Sequence, residues 1–141
     1  DAVNADIVII ASAGNRGGDQ SSDKVLDFPA RNPDVISAGS TDQNDVRWTT
    51  PDQDGSQIGD SDIVLDVVAP GPSSPIWTTQ SGAVNNYTSA FGKTSAAAAE
   101  VSGLAALIRS INPGLTWTQV RTILRNTADK SCRNGRCQFH G

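Results

Sequence analysis

Three short apolar runs mark the first half of the chain. They are Ile7-Val8-Ile9-Ile10-Ala11, Val35-Ile36-Ser37-Ala38-Gly39 and Ile63-Val64-Leu65-Asp66-Val67-Val68-Ala69. Each is rich in β-branched residues and lacks the alternation of a half-solvated strand, so each predicts a strand buried on both faces. The first run stops at Gly14-Asn15-Arg16-Gly17-Gly18 and the third at Pro70-Gly71-Pro72, both strong strand breakers. Residues 42–62 are rich in Asp, Gln, Gly, Ser and Thr and predict surface loop with short edge strands. Residues 73–91 predict an irregular polar segment.

The pattern then changes period. Residues 94–108 carry a run of alanines, Ala96-Ala97-Ala98-Ala99, and predict a helix. Side chains this small predict a helix packed inside the protein. Asn112-Pro113-Gly114 ends it. Thr116 followed three residues later by Gln119 predicts a capping box, and Val120, Ile123, Leu124 and Thr127 give a second helix an apolar stripe. Buried strands followed by helices argue for an α/β fold on a parallel sheet, with chemistry at the carboxyl ends of the strands. Asn15 lies just past one such end. No linker or repeat divides the 141 residues, so 1–141 is read as one domain.

Composition narrows the function class. The chain is 37% hydrophobic and 18% charged, as a globular domain is. Its net charge of −4 and lack of a basic cluster argue against a nucleic-acid or anionic-membrane surface. No apolar run approaches the roughly 18 residues of a membrane span. The abrupt start at Asp1, without Met, reads as a piece of something longer. Cys132 and Cys137 flank Arg133-Asn134-Gly135-Arg136, and Asn-Gly is a strong hairpin signal. A local disulfide is expected there, which points to an exported protein; the alternatives are two reduced thiols, or a zinc site with His140.

Two residues stand out chemically. Ser95 falls at the start of the predicted helix, where free N–H groups and the dipole would stabilise an oxyanion formed by attack of its hydroxyl. Its bland reading is a helix N-cap. Asn15 could aim a side-chain amide at developing negative charge; its bland reading is a turn residue. Neither is specific alone.

Their surroundings are. Ile9-Ile10-Ala11-Ser12-Ala13-Gly14-Asn15, Phe28-Pro29-Ala30 with Pro33-Asp34-Val35-Ile36-Ser37-Ala38-Gly39, Leu65-Asp66-Val67-Val68-Ala69-Pro70-Gly71, Phe91-Gly92-Lys93-Thr94-Ser95-Ala96-Ala97-Ala98-Ala99-Glu100-Val101-Ser102-Gly103 and Asn112-Pro113-Gly114-Leu115-Thr116-Trp117 occur in this order. Together they resemble the C-terminal part of the catalytic domain of subtilisin-like serine proteases. Ile76-Trp77-Thr78-Thr79 and Leu115-Thr116-Trp117 lean towards the kexin-like branch and its bacterial relatives.

The resemblance implies a partial subtilisin-like three-layer fold, with a parallel sheet and a central helix starting near Ser95. It implies Ser95 as the acylated nucleophile and Asn15 as oxyanion donor. Ser12, Ala13 and Gly14 would wall the pocket for the residue before the scissile bond, with Thr94 also on the substrate side. The substrates would be peptides or proteins, the location secreted or periplasmic. No cofactor is required; a structural calcium is common in such proteins, but no ligands are identifiable, and the Asp-rich loops 19–23 and 42–54 read as solvated. The family's Asp and His come earlier in its chain than the 14 residues before Asn15 allow. The expected partner is therefore the N-terminal catalytic part, without which the chain would be inactive; His140, the only histidine, reads as a tail residue. Two departures stand out. Lys93 replaces a Gly and would strain a turn needing positive φ, and Ala99 replaces a Pro, which lets the helix run straighter.

Overall fold

The computed structural model describes residues 2–60, 62–71, 76–82 and 84–129. Cys132, Cys137 and His140 lie outside them. Strands β1 (Ile10–Ser12), β2 (Ile36–Thr41) and β3 (Val67–Pro70) form a parallel sheet in that order. Strands β4 (Ile76–Thr79) and β5 (Tyr87–Phe91) pair as an antiparallel hairpin, and helices α1 (Lys93–Ile111) and α2 (Trp117–Thr127) follow. This is the mixed α/β architecture the apolar runs predict.

The central strand β2 is buried along its whole length, as its continuous small and apolar composition requires. Its register pairs Ile10 with Ile36 on one side and Ala38 with Val67 on the other. That register explains why β1 and β3 start later than the apolar runs. Pairing with β1 cannot begin before β2 does, so Ile7 stays exposed ahead of the strand. Asp62 and Ile63 bend instead of extending, because Asp60 Oδ1 accepts from their N–H groups. The segment expected to be irregular contains the β4–β5 hairpin, because its Ile, Trp, Tyr, Phe and Thr residues favour a pleated ribbon.

Helix α1 lies across all three sheet strands. Val101 and Ala105 of α1 and Val120 and Leu124 of α2 close over Ile36, Ala38 and Val67. Burying a side chain the size of Ile36, Val120 or Leu124 stabilises by roughly 1.5–3 kcal/mol. A second cluster, Ala13, Leu26, Ala30 and Leu65, supports the loop after β1. The α2 capping box forms as predicted: Gln119 N donates to Thr116 Oγ1 at 3.3 Å, and Thr116 N donates to Gln119 Oε1 at 2.8 Å. Helix α1 is buried on one face only. Its opposite face presents Leu104, Leu107 and Ile111, the last 86% exposed.

Candidate active site

The site gathers where β1 ends and α1 begins. After Ser12 the chain passes through Ala13 and Gly14, both buried. Ala13 N donates to Ala38 O at 2.9 Å and so prolongs the parallel pairing. Gly14 has φ +111°, a conformation that L side chains rarely adopt, and a Cβ there would collide with Gln57 Oε1 and come within 2.6 Å of Asp27 Oδ2. Asn15 is then fixed from its backbone, since Gly55 N donates to Asn15 O at 2.8 Å and Gly17 N to Gly55 O at 2.8 Å.

Its side chain is fixed from α1. Thr94 N donates to Asn15 Oδ1 at 3.2 Å, and the Thr94 hydroxyl donates to the same atom at 2.8 Å. A backbone N–H can only donate, so the atom it meets must be the carbonyl oxygen of the amide. The Nδ2 group therefore points away from Thr94, with both protons available. Asn15 and Thr94 are 79 residues apart in sequence, and this contact joins the two segments that sequence analysis singled out.

Ser95 is the third residue of α1, and it is exposed. The bland reading of Ser95 as an N-cap does not hold: Gly92 occupies that position, with no side-chain cap. The Ser95 side chain faces an open depression of about 420 Å³ that Ser89, Ala90, Phe91, Gly92 and Lys93 line with it. The part that β5 plays here was not foreseen in the sequence. Its signal was the run Tyr87-Thr88-Ser89-Ala90-Phe91, which has strand propensity and leads straight into Gly92. No imidazole occurs among the described residues.

Charged groups surround the loop after Asn15. Arg16 donates from Nε to Asp23 Oδ2 at 3.0 Å and from Nη2 to Asp27 Oδ1 at 2.7 Å. The hydrogen bond to Asp23, followed by the charge of Asp27, holds the guanidinium above its ordinary pKa. Lys24 instead turns its ammonium to Gly17 O at 3.0 Å and Gly18 O at 2.5 Å. Burial, then repulsion by Arg47, pushes its pKa down. These groups carried no sequence signal, because only the fold brings residues 16, 23, 27 and 57 together.

Several carboxylates of the Asp-rich loops are bonded within the protein. Asp42 Oδ1 accepts from Asn44 N and Val46 N, and Asp54 pairs with Lys93. Among the described residues no three His, Cys, Asp or Glu converge as metal ligands.

The profile of the subtilase family matches residues 1–140. The chain belongs to the subtilase family. It is 36% identical over 122 residues to alkaline elastase YaB of Bacillus sp. (strain YaB), covering 86% of this chain and 28% of that protein. It is 39% identical over 122 residues to subtilisin DY of Bacillus licheniformis, covering 86% and 39%. With subtilisin Savinase of Lederbergia lenta it shares 35% over 127 residues, covering 90% and 40%. The chain thus spans between about a quarter and two-fifths of the length of these relatives.

Within this subtilase chain the two departures have structural outcomes. Lys93 adopts φ +63°, the left-handed geometry that a Gly would take freely. Its ammonium lies 3.2 Å from Asp54 Oδ2 and 5.5 Å from the Trp48 ring centre. Ala99 sits in an uninterrupted helix, since nothing at that position removes a backbone N–H. Among the described residues no helix is long and apolar enough to cross a membrane.

Proposed function

We propose that this chain is the nucleophile-bearing part of an exported serine endopeptidase, acting on peptide or protein substrates. Ser95 Oγ would attack the scissile carbonyl carbon, passing its proton to a histidine supplied by the N-terminal part of the same catalytic domain. The oxyanion that forms would accept hydrogen bonds from Asn15 Nδ2 and Ser95 N–H. Collapse would expel the amine, which takes up the proton, and leave an acyl group on Ser95 for water to hydrolyse. The observation that carries this reading is the double bond from Thr94 to Asn15 Oδ1, which orients the amide donor beside the residue that follows Thr94. In subtilisin, a known case from this same family, losing the oxyanion Asn costs roughly 100- to 1,000-fold in rate.

The bare outer face of α1 supports the same partner. Leu104, Leu107 and Ile111 recur at helical spacing and are exposed. The relatives' lengths leave ample chain to cover them. Among the described residues there is no imidazole to activate Ser95, so the chain alone is expected not to turn over.

A fluorophosphonate probe tests this. In the full-length protein, or after the N-terminal part is added, labelling at Ser95 is expected, with none in Ser95→Ala and much slower labelling in Asn15→Ala. Absence of labelling in the full-length protein would overturn the endopeptidase reading in favour of an inactive or purely binding module.

A further inference from the structure

We propose that Lys93 is a positioning residue, whose ion pair with Asp54 makes the hold on Asn15 sensitive to ionic strength. This rests on the reading of Asn15 as oxyanion donor. The peptide bond after Lys93 carries the N–H of Thr94, so the backbone of Lys93 decides where that N–H points. It points at Asn15 Oδ1, 3.2 Å away. It does so with Lys93 at φ +63°, a conformation that is costly for any L residue with a long side chain and free for Gly. A return of Lys93 to negative φ would turn the Thr94 N–H away from the amide that it orients.

The strained turn is held from two sides. On one side the backbone sits close to Gly71, where a Cβ would stand 3.1 Å from Lys93 O. On the other, the ammonium reaches Asp54 Oδ2 at 3.2 Å and lies 5.5 Å from the centre of the Trp48 ring. Both anchors are fixed. Trp48 is buried, its N–H donates to Ser40 O of β2 at 2.9 Å, and its carbonyl accepts from Ser56 N at 2.8 Å. Asp54 precedes Gly55, whose N–H donates to Asn15 O at 2.8 Å. The contacts therefore close a circuit. Asn15 is bonded through its backbone to Gly55 and through its side chain to Thr94, and the residues before those two, Asp54 and Lys93, are paired with each other.

The circuit has one link that salt can weaken. The side chains of Lys93 and Asp54 are 48% and 56% exposed, and salt screens a pair of this kind. The strain lies in backbone torsions, which salt does not screen. Added salt should therefore loosen the strap and leave the strain, and the Thr94 N–H should leave Asn15 more often. A glycine at this position would have neither strap nor strain, and no such response.

Two rates test this in the full-length protein, each at about 0.1 M and about 1 M sodium chloride. One is fluorophosphonate labelling of Ser95; the other is hydrogen exchange of the Thr94 amide, followed by NMR. In the wild type, salt is expected to slow labelling and to speed exchange, each roughly threefold. Lys93→Arg keeps the pair and should respond in the same way. Asp54→Asn should show the wild type's high-salt rates already at low salt. Lys93→Gly should respond in neither rate, and at high salt it should label faster than the wild type. A merely structural Lys93 would move the unfolding midpoint and leave both rates alone. Equal salt responses in the wild type and Lys93→Gly, or wild-type rates in Asp54→Asn at low salt, overturn the proposal. Labelling that proceeds but ignores salt in the wild type overturns the positioning role and keeps the endopeptidase. Exchange that responds as expected in a protein whose Ser95 never labels overturns the endopeptidase, and leaves only the hold of the pair on the turn.

Discussion

Thr94 grips Asn15 with both of its donors, the hydroxyl at 2.8 Å and the backbone N–H at 3.2 Å. Because Thr94 is fully buried and precedes Ser95 directly, this grip couples the loop after β1 to the start of α1. Thr94→Val keeps the shape and removes the hydroxyl. Asn15 Oδ1 would then depend on one weaker bond. Stability should fall by about 1–3 kcal/mol. The labelling rate of Ser95 in the full-length protein should fall roughly tenfold or more, because the amide is no longer held in place. Thr94→Ser restores the hydroxyl and should recover most of the rate. Equal rates for the Val and Ser variants would show that the hydroxyl does not position Asn15.

Lys93 sets strain against attraction. Its left-handed backbone costs about 1–2 kcal/mol for a non-glycine residue. Its exposed pair with Asp54 and its contact with Trp48 return about 0–1 kcal/mol, screened by solvent. Lys93→Ala keeps the strain and loses both contacts. Lys93→Gly loses the contacts and the strain together. The Gly variant should therefore unfold at a higher denaturant concentration than the Ala variant, by about 1 kcal/mol. Asp54→Asn added to Lys93→Ala should change nothing more, since the pair is already gone.

The three parallel strands and both helices were legible in the sequence because their apolar periods are local. Burial on both faces holds only for β2; β1 is half-buried and β3 runs out to an exposed Pro70. Thr116 and Gln119 announced a helix start that forms as read. The strand limits were not legible, since β2 dictates through its register where β1 and β3 can pair. Ser95 and Asn15 were visible only through their neighbouring motifs; the Thr94 contact that relates them spans 79 residues. Arg16, Asp23 and Asp27 look like ordinary loop charges until the fold pairs them. Lys93 was legible as a departure, and its positive φ is the strain foreseen, but the Asp54 partner was not.

Asp66 anchors α2 to the sheet. Its carboxylate is 1% exposed and accepts from Arg121 Nε at 2.7 Å, Arg121 Nη2 at 3.0 Å and Ser37 N at 2.9 Å. Removing Arg121 leaves that buried carboxylate without its bidentate partner. Arg121→Ala should destabilise by about 3–5 kcal/mol. Arg125 lies 3.6 Å away and is more exposed, so Arg125→Ala should lose less than about 1 kcal/mol. Chemical denaturation of the two variants separates these values.

Asp60 makes stability depend on acid. The N–H of Ile63, then that of Asp62, holds its carboxyl below the ordinary 3.8. A carboxyl whose folded pKa is depressed contributes stability that is complete above its unfolded pKa and is lost as pH falls through the folded one. The wild-type chain should therefore exceed Asp60→Asn in stability near neutrality. The difference should shrink as pH falls below about 4. Urea midpoints of both proteins across this range check it; a difference that stays constant or widens in acid would contradict the assignment.

The exposed face of α1 makes the last prediction. Leu107 is 62% and Ile111 86% exposed, and neither belongs to the core that Val101 and Ala105 form with the sheet. Surface substitutions away from buried contacts shift stability by about 0.5 kcal/mol or less. Leu107→Glu with Ile111→Lys should therefore leave the unfolding midpoint of the chain almost unchanged. If the N-terminal catalytic part covers this face, however, the same two changes bury charged side chains in the joined protein, and their i, i+4 attraction does not offset the desolvation. Recovery of Ser95 labelling on mixing the two parts should then be abolished, although each part remains folded. Undiminished labelling by the doubly charged variant would place the contact elsewhere on the chain.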